Sequence, residues 1–170
     1  APRVAHNLLL AHGLAVRAFR AAGSGEIGLV VNLEPKEPAS SSAEDRAAAV
    51  RAAAYMNRFY LDPVLLGHYP AEMAEIFGGA WPEFPASDFP ILRERMDFLG
   101  INYYTRSVVT HDPSSPPVNA SPVKQAGSLH TETGWEVHPE SLTRLLLRVK
   151  ARYGNLPIYI TENGAAFPDP

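Results

Sequence analysis

Ile158-Tyr159-Ile160-Thr161-Glu162-Asn163-Gly164 sets an apolar run against a turn signal, with a carboxylate at the junction. The apolar run reads as a strand, and Asn-Gly suits the left-handed backbone of a turn. In a parallel α/β protein such a junction is the carboxyl end of a strand, where a side chain can be held rigidly and aimed into a cleft. Taken alone, the same residues also describe a surface Glu ahead of an ordinary turn.

Working outward, the preceding segment reads as a helix that starts at Pro139, a favoured first helical position. Leu142, Leu145, Leu146, Val149 and Tyr153 form its apolar face, and Gly154 stops it. Two earlier runs, Phe98-Leu99-Gly100-Ile101-Asn102-Tyr103-Tyr104 and Ile27-Gly28-Leu29-Val30-Val31, read as strands buried on both faces, the latter ending at Asn32. A helix from about Pro2 to Ala22 opens the chain. Val4, Leu8, Ala11, Ala15, Ala18, Phe19 and Ala22 recur at helical spacing as one apolar stripe, and Gly23 is expected to end it in the left-handed conformation. His6 and His12 fall on different faces of that helix and read as packing or surface residues rather than a shared metal site.

The second helix begins near Ser42, where Ser-Ala-Glu-Asp resembles a capping box and places two acids in the first turn. It extends to about Tyr60, with Leu61-Asp62-Pro63 as its end or a kink. Before it lies a Pro-rich loop, Glu34-Pro35-Lys36-Glu37-Pro38. Residues 67–96, interrupted by Pro70, Pro82, Pro85 and Pro90, read as a connection with short helical pieces in which Met73, Ile76 and Phe77 are core contacts. Roughly 30 residues rich in Pro, Ser, Thr and Gly follow Tyr104, and a loop that long in a compact domain is expected to be functional or disordered. Helix and strand alternate three times, which predicts an α/β protein with a parallel sheet.

The 170 residues suffice for one domain with a real core, and 46% hydrophobic with 19% charged content is an ordinary globular composition. A net charge of −3 without a basic block argues against nucleic acid as a partner. The absence of cysteine excludes disulfides and thiolate metal sites and fits a cytoplasmic enzyme. No run is long and apolar enough to span a membrane, and none resembles a signal peptide. The chain opens on Ala1-Pro2 rather than Met and closes on Phe167-Pro168-Asp169-Pro170 just after a strand, so residues 1–170 are expected to be a single fragment.

Each strand ends in polar residues: Asn32, then Asn102 and Tyr104, then Glu162. In a parallel sheet those ends share one rim, so two amides, a phenol and a carboxylate can face one cleft. Side chains alternate along a strand, so Tyr104 rather than Tyr103 shares the Asn102 face. Both tyrosines also read simply as strand formers, with one filling the core. No Gly-rich phosphate loop, Gly-x-Ser-x-Gly elbow or metal-spaced His and carboxylate cluster accompanies the rim. A carboxylate among neutral hydrogen-bonding groups and aromatic rings suits a sugar.

Ile160-Thr161-Glu162-Asn163-Gly164-Ala165-Ala166 closely resembles the nucleophile segment of the family 1 glycoside hydrolases, the β-glucosidase group. The resemblance covers nearly the whole chain. His6 to His12 is similar to that family's fourth barrel helix. Leu61-Asp62-Pro63 with Gly67 and Tyr69-Pro70 matches its connection after strand five, Phe98 to Tyr104 its strand six, and Gly134-Trp135-Glu136-Val137 with Pro139 the entry to its sixth helix.

The resemblance implies a partial (β/α)8 TIM barrel, about three parallel strands with flanking helices, and a retaining β-glycosidase, expected to be a β-glucosidase. In a retaining mechanism one carboxylate forms a glycosyl-enzyme while a second carboxyl group, about 5–5.5 Å away, serves as acid and then base. Glu162 matches the nucleophile and Tyr104 the tyrosine that orients it. Asn102 matches the rim asparagine, and Trp135 resembles the leaving-group platform, although a core anchor under the long loop is its other reading. Hydrogen bonds from a neutral donor such as Tyr104 favour an ionised nucleophile.

The family's acid/base lies in an Asn-Glu-Pro segment ahead of the first helix here and is absent. Glu34, in Asn32-Leu33-Glu34-Pro35, imitates it but follows the wrong strand, so it is rejected. The implied ligand is a β-glucoside or short β-linked oligosaccharide. No metal or organic cofactor is implied, and the remaining portion of the barrel as another chain is a candidate partner. The alternative is a non-catalytic barrel fragment, a sugar-binding or assembly partner only.

Overall fold

The computed structural model describes residues 2–168; Ala1, Asp169 and Pro170, and with them the last half of the closing Phe167-Pro168-Asp169-Pro170 run, lie outside it. Three strands, β1 (Gly28–Asn32), β3 (Phe98–Asn102) and β6 (Ile158–Glu162), form a parallel sheet in the order β1-β3-β6. Helix α1 (Pro2–Ala22) precedes β1, and α6 (Pro139–Tyr153) connects the long loop to β6. Between β1 and β3 run α2 (Ala43–Ala53), a π-helical turn (Ala54–Arg58) and α3 (Phe59–Leu65), then the short α4 (Glu72–Phe77) and α5 (Phe89–Leu92). The alternation of helix and parallel strand is the one the hydrophobic pattern predicts.

Strand β3 explains how the layers form. Its odd-numbered residues Leu99 and Ile101, with Tyr103 just beyond, are buried against Leu145 and Val149 of α6 and against Leu33 and Leu61. The even-numbered residues face the other way, where Phe98 meets the Tyr159 ring edge-on at 5.2 Å. A side chain at Gly100 would place its Cβ 2.8 Å from Val30 Cγ2, so only glycine lets the flanking strands close over that position. Fully burying an aliphatic chain such as Leu99 or Ile101 contributes about 1.5–3 kcal/mol, and this seam is the main adhesive of the sheet.

The outer strands differ from their expected burial. Val30 is 49% exposed on β1, and Tyr159 and Ile160 are 53% and 42% exposed on β6. Among the described residues each of these strands pairs on one side only; Val30 and Tyr159 flank Gly100 on the face away from α6, which meets no second layer, whereas Ile160 stands beside Ile101 on the α6 side.

Helix α1 also departs from the expected stripe. Val4 and Leu8 are each 64% exposed, while Ala5, His6, Leu9, Gly13 and Val16 are buried. The helix is apolar on two faces, and close approach selects between them. Gly13 lies against the Ile91 backbone, where a Cβ would sit 1.9 Å from the carbonyl oxygen. Gly23 follows the last turn without a positive φ, and Gly25, at φ 129°, makes the left-handed turn instead. His6 is a packing residue: Tyr69 Oη and Asp88 Oδ2 lie 2.9 and 3.1 Å from its ring nitrogens, and Phe84 stacks on the ring.

Two further corrections concern loops. The Pro-rich loop after β1 contains β2 (Lys36–Pro38), and the long segment after Tyr104 contains β4 (Ser107–His111) and β5 (Ala120–Pro122). Together they form a second sheet, β2-β4-β5, packed on Ala49 and Ala52 of α2 through Val109. Its three-residue outer strands are too short to display a period, and the pairing of β2 with β4 is non-local. Second, the helix after Ser42 does not stop at Leu61-Asp62-Pro63 but continues to Leu65. Ser42 caps it as expected, accepting the Asp45 N–H at 3.1 Å. The Asp45 carboxylate does not complete the box. It accepts from Ser40 Oγ, Thr110 Oγ1 and the His111 N–H, which ties α2 to β4 and holds the carboxyl pKa down to about 2.

Candidate active site

The sheet register assembles the site. Asn32 pairs with Asn102, and Asn102 with Glu162, so the three rim residues stand side by side at the carboxyl edge. The pairing of β3 with β6 slips by one residue: Ile101 is opposite Ile160, but Asn102 is opposite Glu162, leaving Thr161 as the extra residue of a bulge. Without that bulge Glu162 would lie beside Tyr103, whose side chain points into the core under α6. The bulge turns Glu162 to the face shared by Asn102 and Tyr104.

Several hydrogen bonds fix this corner. The Tyr104 hydroxyl donates to Glu162 Oε2. Thr161 Oγ1 donates to Asn102 Oδ1 at 2.6 Å, the Tyr103 N–H donates to the Glu162 carbonyl at 2.9 Å, and Asn163 Nδ2 donates to the Tyr103 carbonyl at 2.8 Å. The bond to the Glu162 carboxylate, reinforced by partial burial, raises the Tyr104 pKa above its ordinary value, so the phenol keeps its proton. Glu162 itself is exposed on an open face, within reach of a ligand.

Trp135 belongs to the same corner. Its ring lies 5.1 Å from that of Tyr104, tilted by 41°, and it is 40% exposed. A cleft of about 620 Å3 continues from Trp135 over the second sheet, past Glu34, Tyr55, Met56 and Glu136. The four predicted residues Asn102, Tyr104, Trp135 and Glu162 are therefore one cluster. Glu34 is engaged elsewhere: Lys36 Nζ lies 2.5 Å from Oε1, and the backbone of Glu34 exchanges two hydrogen bonds with the Asn57 amide.

Sequence reasoning missed the charged residues that hold the corner together. Arg106 binds Glu136 through two nitrogens, at 2.8 and 3.0 Å, and Glu37 through the third, at 2.6 Å. Arg144 closes the network on Glu37 at 2.6 Å. The hydrogen bonds from Arg106 hold the Glu136 carboxyl at about 2. Burial opposes ionisation of Glu37, but the hydrogen bonds from Arg144 and Arg106 outweigh it and leave that pKa below its usual value. These residues come from four separate segments and carry no periodic signal. The only hint was the adjacency of Glu136 to Trp135 and of Arg106 to Tyr104. Among the described residues, no group of three or more His, Asp or Glu side chains could hold a metal ion, and no helix is long and apolar enough to cross a membrane.

A parallel sheet with helices on its outer face, and with Asn102, Tyr104, Trp135 and Glu162 gathered at its carboxyl edge, defines part of a (β/α)8 barrel. The pattern of Glycosyl hydrolase family 1 matches residues 2–170, and the chain belongs to that family. It is 39% identical to β-glucosidase A of Acetivibrio thermocellus over 98% of this chain and 38% of that protein. The crystal structure of a β-glucosidase from Exiguobacterium marinum superposes with a TM-score of 0.92 at 36% identity, covering 99% of this chain and 39% of that one. The virulence factor SghA of Agrobacterium tumefaciens, solved with its substrate analogue salicin, gives a TM-score of 0.91 at 37% identity, with coverages of 98% and 37%. The chain thus spans less than two fifths of the length of these relatives.

Proposed function

We propose that this chain is the nucleophile-bearing part of a retaining β-glucosidase, with Glu162 as the nucleophile. The observation that carries this reading is the Tyr104 hydroxyl donating to Glu162 at the carboxyl edge of the sheet, beside Asn102 and Trp135. A carboxylate attacks a sugar only when it is ionised and correctly turned. The phenol supports both conditions: it donates to the charged form and pins one oxygen, leaving the other free for the anomeric carbon.

In the reaction, Glu162 displaces the aglycone oxygen and forms a glycosyl-enzyme. A second carboxyl group protonates that oxygen and then deprotonates the water that releases the sugar. That acid/base belongs to the portion of the barrel before this segment, so the segment alone does not turn over. Asn102 hydrogen-bonds the glycone, and Trp135 stacks on the leaving group. The β-glucosidase relatives, and the salicin complex of SghA in particular, support a β-glucoside as the ligand.

Glu162→Gln in the full-length protein tests the assignment. Hydrolysis of an aryl β-glucoside is expected to fall at least about 1000-fold, because the group that forms the covalent intermediate is gone. The thermal midpoint should change little, since Glu162 is exposed. Near-normal turnover by the variant would refute the role.

A further inference from the structure

Tyr103, Tyr104, Thr105 and Arg106 form one run with two clients. Tyr104 reaches Glu162. The other three reach the segment that carries Trp135: Tyr103 Oη donates to the His138 carbonyl at 2.9 Å, Thr105 Oγ1 donates to the Glu136 carbonyl at 2.9 Å, and Arg106 grips the Glu136 carboxylate through two nitrogens. The Trp135 backbone folds back on Thr131, with N–H to Oγ1 at 3.1 Å and carbonyl from the Thr131 N–H at 2.9 Å. Gly134, at φ 82°, allows that turn. The Trp135 ring is two-fifths exposed and rests on Tyr104, whereas its neighbour Glu136 is almost wholly buried. Glu136 is therefore the anchor of the loop and Trp135 is what the anchor presents.

We propose that Arg106 is a positioning residue for the leaving-group side of the site: its two-pronged pair with Glu136 holds the Trp135 ring beside Tyr104 and so governs which aglycones are accepted. This rests on the reading of Glu162 and Trp135 given above. The geometry favours arginine specifically. A planar guanidinium matches both carboxylate oxygens of Glu136 and still has a nitrogen for Glu37, which Arg144 holds from the far side. A lysine supplies the charge without the fork. With Arg106 removed, Glu136 is a buried carboxylate without its cation, and the segment must move to rehydrate it. Trp135, one residue away, moves with it. Glu162 stays, because Tyr104 and the backbone of β3 hold it.

The test compares two substrates in the full-length protein. An aryl β-glucoside has a ring to stack on Trp135; β-glucosyl fluoride has none. For Arg106→Met, the ratio of kcat/KM for the aryl glucoside to that for the fluoride is expected to fall at least about tenfold, mostly through KM. A purely structural role lowers both substrates together and leaves the ratio unchanged, which would overturn the proposal. Arg106→Lys keeps the charge and serves if the methionine variant does not fold. The same ratio should fall by about threefold or more, and an unchanged ratio counts equally against the idea.

The part of the full-length protein's tryptophan fluorescence that Trp135→Phe removes gives a readout independent of turnover. Acrylamide quenching should rise in the Arg106 variants, and equal quenching would also reject the proposal. Glu162→Gln assayed on the fluoride separates the two claims. Retained turnover there sinks the nucleophile reading, whereas a moved ratio with a dead Glu162 variant supports both.

Discussion

Glu162 stands on the face of Asn102 and Tyr104 only because Thr161 is one residue too many for the ladder. The bulge sits near the end of β6, and the Thr161 hydroxyl bond to Asn102 secures the slip. Tyr104 then donates a charge-assisted hydrogen bond to the Glu162 carboxylate. Tyr104→Phe in the full-length protein is accordingly expected to lower kcat/KM for an aryl β-glucoside by about 10- to 100-fold, less than the loss for Glu162→Gln. The phenol's raised pKa keeps the donor protonated through neutral pH, so this contribution should not titrate there. An unchanged rate would leave Tyr104 as a strand former and nothing more.

Among the elements, α3 and α6 show how a helix can pass through a proline. Pro63 cannot donate, and a proline in a helix interior commonly costs about 3 kcal/mol. Leu61, Pro63 and Val64 are nevertheless buried, and Asp62 is completely so. Its carboxylate takes Arg152 at 2.9 and 2.5 Å and the Tyr153 hydroxyl at 2.6 Å, clamping the end of α6 onto α3. The bond to Asp62 raises the Arg152 pKa further, while burial and then Asp62 raise that of Tyr153. Asp62→Ala should destabilise the full-length protein by about 2–3 kcal/mol. That is below the 3–5 kcal/mol typical of a wholly buried pair, because the Arg152 side chain is 39% exposed and partly screened. A urea midpoint measured with constant slope checks this, and a loss under about 0.5 kcal/mol would mean that the clamp is dispensable.

At the scale of the whole chain, the face of the sheet away from α6 meets no second layer among the described residues. β1 and β6 are each paired on one side; Val30 and Tyr159 lie open on that face, and Ile160, Val4 and Leu8 are exposed elsewhere. Unpaired strand edges and uncovered apolar side chains invite association. The 170-residue chain on its own is expected to self-associate in sedimentation experiments at micromolar concentration and to leave an aryl β-glucoside intact. Mixed with the remaining portion of the barrel, it should gain hydrolysis that depends on Glu162. Clear turnover by the isolated chain would contradict an acid/base supplied from outside. No turnover in the mixture would favour the assembly-only alternative.

The sequence by itself determined the alternation of helix and strand, the face of α6, and the gathering of Asn32, Asn102, Tyr104 and Glu162 at strand ends. Those features follow from local periodicity and from the polarity of parallel sheets. Only the tertiary structure decided which face of α1 is buried, because the choice depends on the Ile91 backbone meeting Gly13 across the fold. It likewise decided the bulge at Thr161, the second sheet made from apparent loops, and the meeting of Glu37, Arg106, Glu136 and Arg144. Apart from the short-range pairing of β4 with β5, each of these brings together residues far apart in the chain, where shape and charge complementarity act and no local period records them.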